Sequence, residues 1–109
     1  MKRVSKKTNA AASMMENFSV EKYQLRLFVT GTTPQSTRAI MNIREICETH
    51  LKGRYNLEIY DLYQQPSLAK KEGIIAVPTL IKRSPLPPRR LVGDLSSQGR
   101  VLLGLGITA

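Results

Sequence analysis

The chain has 109 residues, the size of one domain with a single core that needs neither disulfides nor a metal. Its 17 basic and 8 acidic side chains give a formal net charge of +9. That excess suggests an anionic partner but does not indicate a nucleic acid, because no aromatic residues are interleaved with the basic ones; a solvated basic surface would show the same excess. The single cysteine, Cys47, excludes an internal disulfide and a CxxC pair, and no paired Cys and His spacing indicates zinc. We therefore predict a cytoplasmic protein without metal or cofactor.

The N-terminal residues are basic and lack a periodic apolar pattern. The basic residues among the first fifteen are Lys2, Arg3, Lys6 and Lys7. This stretch holds no acid and no apolar run long enough for a signal peptide or a membrane span. We predict a disordered basic arm over residues 1–20 and one folded domain over residues 21–109, with no membrane partner.

A strand, a helix and a second strand are predicted in the first half of the domain. Residues 23–31 alternate apolar and polar side chains with a period of two, which predicts a strand. Thr33 is a good N-cap, Pro34 suits the first helical position, and apolar residues then recur at helical spacing until Gly53, which ends the helix. Residues 55–63 alternate again. This βαβ unit predicts two parallel strands joined by a right-handed crossover.

Shorter elements are predicted in the second half. Pro66 opens a short helix that Gly73 closes. Residues 76–84 form a strand, the prolines that follow make a rigid turn, residues 89–94 form another short strand, and residues 96–106 form a last helix. The predicted order is βαβαββα, an α/β fold.

Pro78 stands inside an apolar stretch that otherwise reads as a buried strand, although a proline cannot donate to a sheet ladder. The element order, with Val77 and this proline leading into the third strand, is that of a thioredoxin-like fold, in which the proline is cis and lies at the edge of the site. A cis X–Pro bond is uncommon enough to be a deliberate structural feature. The alternative is a trans proline at the first residue of the strand.

Hydroxyl and amide side chains stand where a thioredoxin carries its redox cysteines. The first helix of a thioredoxin opens with CxxC, because the nucleophilic thiol needs the helix N-terminus to lower its pKa. Here that stretch runs from Thr33 to Ser36 and holds no thiol. Cys47 lies on the apolar face towards the end of the helix, where burial and the dipole both raise a thiol pKa. We predict no catalytic residue and no enzyme; a thiol oxidoreductase that uses Cys47 is the alternative.

Four segments of the chain together resemble the KaiB family. They are LRLFVTGTTPQSTRAI, HLKGRYNLEIYDLYQQPSLA, AVPTLIKRSPLPPRRLVGDLS and VLLGLG, and the resemblance runs from about Tyr23 to Leu105. It implies a small non-enzymatic protein that docks on the KaiC ATPase ring and, in clock systems, sequesters KaiA. It also implies two folds for one sequence. These are a thioredoxin-like monomer that binds partners and a homotetrameric ground state with the order βαββααβ.

The resemblance also implies which residues bind partners. The matching basic residues are Arg38, Lys82, Arg89 and Arg90. Charge-assisted contacts from them to an acidic ring surface are expected, and solubility is the alternative role of each. Lys70, Lys71 and Gly106 depart from the usual family pattern, which leaves a stand-alone role in stress signalling as the alternative function. The input domain of the SasA kinase also resembles KaiB, so a SasA-like kinase system is a further expected partner, beside self-association into a dimer or tetramer.

Three residues, Pro78, Gly104 and Gly106, are expected to bias the choice between the two folds. A cap from Asp94 or Ser96 on the last helix agrees with the thioredoxin-like order. The two glycines oppose it, because a glycine in a helix interior costs about 1 kcal/mol relative to alanine. The substitution Gly104→Ala is therefore expected to favour the last helix and the monomer.

Overall fold

The computed structural model describes residues 22–107; the predicted arm over residues 1–20 and positions 21, 108 and 109 lie outside the described residues. Within the described part, four strands and three helices follow one another in the predicted order βαβαββα. They are β1 (Tyr23–Val29), α1 (Pro34–His50), β2 (Tyr55–Asp61), α2 (Ser67–Lys71), β3 (Thr79–Ser84), β4 (Arg89–Val92) and α3 (Gln98–Leu105). The C-terminal half therefore has the thioredoxin-like order and not the alternative βαββααβ.

The strands form one mixed sheet in the order β2-β1-β3-β4. β1 runs parallel to β2, with Leu27 opposite Ile59, as the predicted βαβ unit requires. β3 runs antiparallel to β1 and places Leu80 opposite Leu27, and β4 pairs antiparallel with β3. Each strand is two or three residues shorter than predicted. β2 and β4 are the two edges, while most residues of the central strands β1 and β3 are buried.

One face of the sheet carries the larger apolar core, which packs against α1 and α3. The central strands contribute Leu27 and Leu80, α1 contributes Ile43, and α3 contributes Val101 and Leu105. Burial of each such aliphatic side chain stabilises the fold by roughly 1.5–3 kcal/mol. The apolar face that the helical spacing predicts for α1 is the face that packs on the sheet.

The opposite face carries a smaller apolar cluster beneath α2. Phe28 and Ile81 are its buried strand residues, and the ring of Phe28 stacks on Tyr60 with centroids 5.4 Å apart. α2 has five residues, none of them buried, and it adds the partly buried Leu68 and Ala69 to this cluster. A helix of five residues is not stable alone, so contacts with the rest of the fold hold α2 in place.

The start of α1 confirms the prediction. Thr33 is the N-cap, its Oγ1 accepts a hydrogen bond from the Ser36 N–H at 3.2 Å, and Pro34 is the first helical residue. The end differs slightly, because α1 stops at His50, three residues before Gly53. Within residues 22–107, no helix is both long and apolar enough to cross a membrane.

Both predicted features at the ends of α3 are wrong. The N-cap is Ser97, without a side-chain hydrogen bond, whereas the Asp94 carboxylate accepts from the Ser96 N–H at 3.0 Å and shapes the preceding loop. Gly106 is the C-cap, with a left-handed φ of 76° that favours glycine. It therefore ends α3 and does not weaken the helix interior.

Candidate partner-binding surface

Hydroxyl groups position the start of α1 against the end of β1. Ser36 is buried, and its Oγ accepts hydrogen bonds from Thr33 Oγ1 at 2.9 Å and from the Thr30 N–H at 3.2 Å. Both hydroxyls are therefore engaged in fixing the backbone at the position where a thioredoxin places its cysteines. The peptide bond between Val77 and Pro78, just before β3, is cis, as predicted.

Cys47, the only cysteine of the chain, is buried in α1 as predicted. Burial, together with the negative charge of Glu48, raises the pKa of its thiol to about 12. At neutral pH the group is therefore a thiol and not the thiolate that nucleophilic or redox chemistry requires. Among residues 22–107, no three His, Cys, Asp or Glu side chains come together as a metal site would require.

Arg38 joins α1 to the loop before α3. Its Nε donates to Asp94 Oδ2 at 3.1 Å, and Asn42 Nδ2 donates to the Asp94 carbonyl at 2.8 Å. Hydrogen bonds from Ser96, followed by the bond from Arg38, hold the pKa of the Asp94 carboxyl below its ordinary value. More than half of the Arg38 side chain stays exposed, so it can still reach a partner.

Arg89 and Arg90 lie side by side on the edge strand β4 but have different surroundings. Arg90 donates to the Glu72 carbonyl at 2.7 Å and to the Gly73 carbonyl at 3.1 Å, which anchors the end of α2. The Arg89 side chain is exposed and makes no hydrogen bond or ion pair with any residue in the described part of the chain. It borders an open basic hollow of about 760 Å³ that Arg83 and Pro88 also line.

Lys82 lies inside the fold, which corrects its assignment to a partner-binding surface. The residue is 3% exposed, and its Nζ donates to the Leu105 carbonyl at 3.3 Å while lying 5.9 Å from the centre of the Tyr23 ring. The alternation of β3 turns Lys82 towards the larger core, and its long side chain reaches the C-terminus of α3, where a cation is favourable. A partner cannot touch this ammonium in the present fold.

Glu72 connects α2 to the sheet through ion pairs that the sequence did not predict. Its carboxylate receives Arg83 at 2.8 Å and Arg26 at 3.5 Å, and only 13% of the side chain is exposed. Arg26 also pairs with Glu58 at 3.3 Å and lies over the Tyr60 ring. These partners lie on three different strands, β1, β2 and β3, so no local sequence pattern could reveal the network.

An open apolar groove of about 290 Å³ lies where β1 and β2 end and the segment before β3 begins. Its walls include Leu62, Tyr63, Pro66, Ile74, Ile75 and Val77. Tyr63 is 70% exposed and Ile75 is 97% exposed, so two large apolar side chains face solvent at this site. We refer to it below as the apolar groove. Sequence patterns did not predict it, because they place residues 76 and 77 of the apolar run 74–77 in the third strand, which begins only at Thr79.

The comparison with known proteins agrees with this fold. The KaiB domain model matches residues 26–107. The chain belongs to the KaiB family. The circadian clock oscillator protein KaiB of Prochlorococcus marinus (strain MIT 9312) is 48% identical over 85 residues, which are 78% of this chain and 81% of that protein. The protein of the same name from Picosynechococcus sp. (strain ATCC 27264 / PCC 7002 / PR-6) is 44% identical over 91 residues, 84% of this chain and 88% of that protein.

Solved structures similar to this KaiB-family chain have the thioredoxin-like fold. Chloroplastic thioredoxin z superposes with a TM-score of 0.67 at 16% identity, over 88% of this chain and 86% of that one. The N-terminal domain of Synechococcus elongatus SasA gives a TM-score of 0.64 at 24% identity, over 80% and 86%. Such identities show the fold alone. The predicted family and the predicted thioredoxin-like fold are both confirmed.

In this KaiB-family chain, Gly104 has a packing role. A Cβ at this position would lie 2.7 Å from Leu91 Cδ2 and 3.2 Å from Leu91 Cδ1, so the glycine lets α3 approach β4 closely. The expected gain in helix propensity from Gly104→Ala is therefore opposed by a steric contact. Whether Pro78, Gly104 and Gly106 bias the choice between two folds stays a prediction.

Proposed function

We propose that the chain is a KaiB-type regulator that docks on a KaiC-like ATPase and carries out no reaction of its own. The observation that carries the proposal is the match of the KaiB domain model to residues 26–107. Its fold supports a binding role, because the first helix begins with hydroxyls and the one thiol is buried. The relatives are named circadian clock oscillator proteins, so the regulation that we propose belongs to a clock or a related signalling system, in the cytoplasm.

The basic surface supports docking on an acidic partner. Arg89 is exposed and unpaired within the described residues, and Arg38 and Arg90 are exposed although each already holds an acceptor. Charge-assisted hydrogen bonds to carboxylates are strong, and complementary charge speeds association. We assign docking contacts to these three arginines and none to Lys82 in this fold.

Titration calorimetry with a KaiC-like ATPase from the same genome tests the docking. Arg89→Glu should weaken binding roughly tenfold, because it reverses a charge that faces the partner. Lys52→Glu is the matched control, since Lys52 is exposed and precedes β2 at the other edge of the sheet. No binding of the unmodified chain, even after long incubation, would refute the proposal.

KaiA and a SasA-like kinase are the further partners that we propose, beside self-association. Lys70 and Lys71, both exposed on α2, depart from the usual family pattern, so the charge of the surface next to the groove differs from that pattern. This departure favours a second candidate function, a stand-alone stress-signalling role without a complete clock. Addition of KaiA to a preformed complex of the chain with the ATPase separates the two. Capture of KaiA supports a clock, and a complex that never recruits it supports stand-alone signalling.

The oxidoreductase alternative is tested by insulin reduction. The unmodified chain and Cys47→Ser should both give background rates, because the thiol is buried and its pKa is about 12. A rate above background that Cys47→Ser abolishes would contradict our proposal.

A further inference from the structure

The apolar groove combines exposed apolar side chains with a rigid frame. Tyr63 lies against the backbone of Gly31, where a Cβ would be 3.0 Å from Tyr63 Cδ2, so the ring is supported from behind while its outer face is open. The Ile75 side chain is almost fully exposed. Large apolar residues that cluster at a concave surface mark interaction sites more often than scattered ones do.

The backbone beside the groove offers hydrogen-bond donors. The segment is fixed before the groove by the Ile74 N–H, which donates to the Ala69 carbonyl at 2.7 Å, and after it by the Pro78 carbonyl, which accepts from the Gly93 N–H at 2.9 Å. Between these points, the N–H groups of residues 75, 76 and 77 find no acceptor among the described residues. Residues 76–78 form a bend, so these N–H groups do not form a strand edge but remain free to donate to carbonyls of a bound segment.

The charge around the groove is positive. Lys70 and Lys71 are exposed on α2, next to the groove-lining Ala69. The nearby acids are already engaged, because Glu72 holds two arginines and Asp61 Oδ1 accepts from the N–H groups of Gly31 and Tyr63, each at 2.9 Å. An occupant with carboxylates beside its apolar residue would complement this rim.

We propose that the apolar groove binds an extended segment of a partner protein that carries a large apolar side chain flanked by acidic residues. The apolar side chain lies between Tyr63 and Ile75, one or more of the segment's carbonyls accept from free N–H groups within residues 75–77, and its acids face Lys70 and Lys71. This deepens the proposed function and rests on it in one respect, since the KaiC-like ATPase is the partner expected to supply the segment.

The experiment compares two variants that each replace an exposed apolar side chain by serine. Ile75→Ser should weaken binding of the KaiC-like ATPase roughly tenfold, the loss expected when one aliphatic anchor is removed from an interface. Leu103→Ser is the matched control, because Leu103 is 82% exposed on α3, away from the groove. This variant should bind the ATPase as tightly as the unmodified chain does. In the complex, amide exchange at residues 75–77 should slow.

The other outcomes distinguish a failure of the groove proposal from a failure of the docking proposal. If the ATPase binds Ile75→Ser as tightly as the unmodified chain, the groove proposal is overturned and the docking proposal stands. If the ATPase does not bind at all, the probe becomes the acetylated peptide Glu-Asp-Leu-Glu-Asp. Binding of this peptide, lost when its Leu is changed to Ser, supports the groove, and no binding overturns it.

Two other occupants would also overturn the proposal. If residues 75–77 are protected in the free chain and deletion of residues 1–20 removes that protection, the groove is covered by the chain's own N-terminal segment. If the protection rises with protein concentration, a second copy of the chain occupies the groove.

Discussion

The two faces of the sheet are held by different forces. The face towards α1 and α3 buries a continuous aliphatic core that includes Leu27, Ile43 and Leu105. The face towards α2 buries, among residues 22–107, the smaller cluster of Phe28, Leu62 and Ile81, and ion pairs and backbone hydrogen bonds add further contacts. Non-directional burial holds the first face, whereas the second depends on charges that water and salt can compete for.

Because of this difference, the face towards α1 and α3 is the more stable one and the face towards α2 is the more adaptable one. Elements with few buried apolar contacts open at lower free energy than the core does. α2 and the segment up to Pro78 are such elements, and they carry the apolar groove. The surface that we propose for partner binding is therefore the part of the fold that can adjust at the smallest cost in stability.

The largest effect should come from the aliphatic face. Leu27→Ala should lower the free energy of unfolding by about 2–5 kcal/mol, because Leu27 is fully buried and the core relaxes only partly around the cavity that is left. Leu68→Ala, on α2, should cost only about 1 kcal/mol, since its side chain is partly exposed. Urea denaturation measures both. Equal losses would break the distinction between the two faces.

The second-largest effect on stability should come from removing one charge on the α2 face. Glu72→Gln should cost about 1–2 kcal/mol, because two arginines lose their charged acceptor. Glu45→Gln is the control, as Glu45 is exposed on α1 and forms no ion pair within the described residues. Urea denaturation at low and at high salt should show a smaller difference at high salt. A loss of stability that salt does not change would argue for packing in place of charge.

Gly104 tests how tightly α3 fits the aliphatic face. In the unmodified chain, Gly104→Ala should give less than the gain of about 1 kcal/mol that its helix propensity predicts, because its Cβ meets Leu91. In a Leu91→Ala background the same substitution should recover that gain. A double-mutant cycle in urea measures the coupling. The same gain in both backgrounds would show that Leu91 moves aside freely.

The smallest effect should be the pH dependence that comes from Asp94. Its pKa is lower in the folded chain than in the unfolded one, so its contribution is complete above the unfolded pKa of about 4 and is lost as the pH falls through the folded pKa. The stability gap between the unmodified chain and Asp94→Asn should therefore be constant near neutrality and shrink in acid. A gap that stays constant into acid would exclude the Arg38 and Ser96 contacts as its source.

Local patterns predicted the elements and their order because their causes are local. The alternation in β1, the Thr33 cap and the proline before β3 each depend on a few neighbouring residues. Lys82 was expected at a partner surface from the family resemblance alone, and no local pattern shows its burial, because its acceptor, the Leu105 carbonyl, lies 23 residues away. The anchor from Arg90 to Gly73 and Glu72 spans 17 and 18 residues of sequence, so only the folded chain reveals it.

The burial of Cys47 has a practical consequence for optical studies of this molecule. Because the chain has one cysteine and that thiol is protonated inside α1, a maleimide dye would find no reactive native sulfur in the folded protein. A cysteine introduced at position 75 could thus be labelled selectively without deleting Cys47. Fluorescence anisotropy from that dye would report in real time when a second molecule arrives at, and leaves, this end of the sheet.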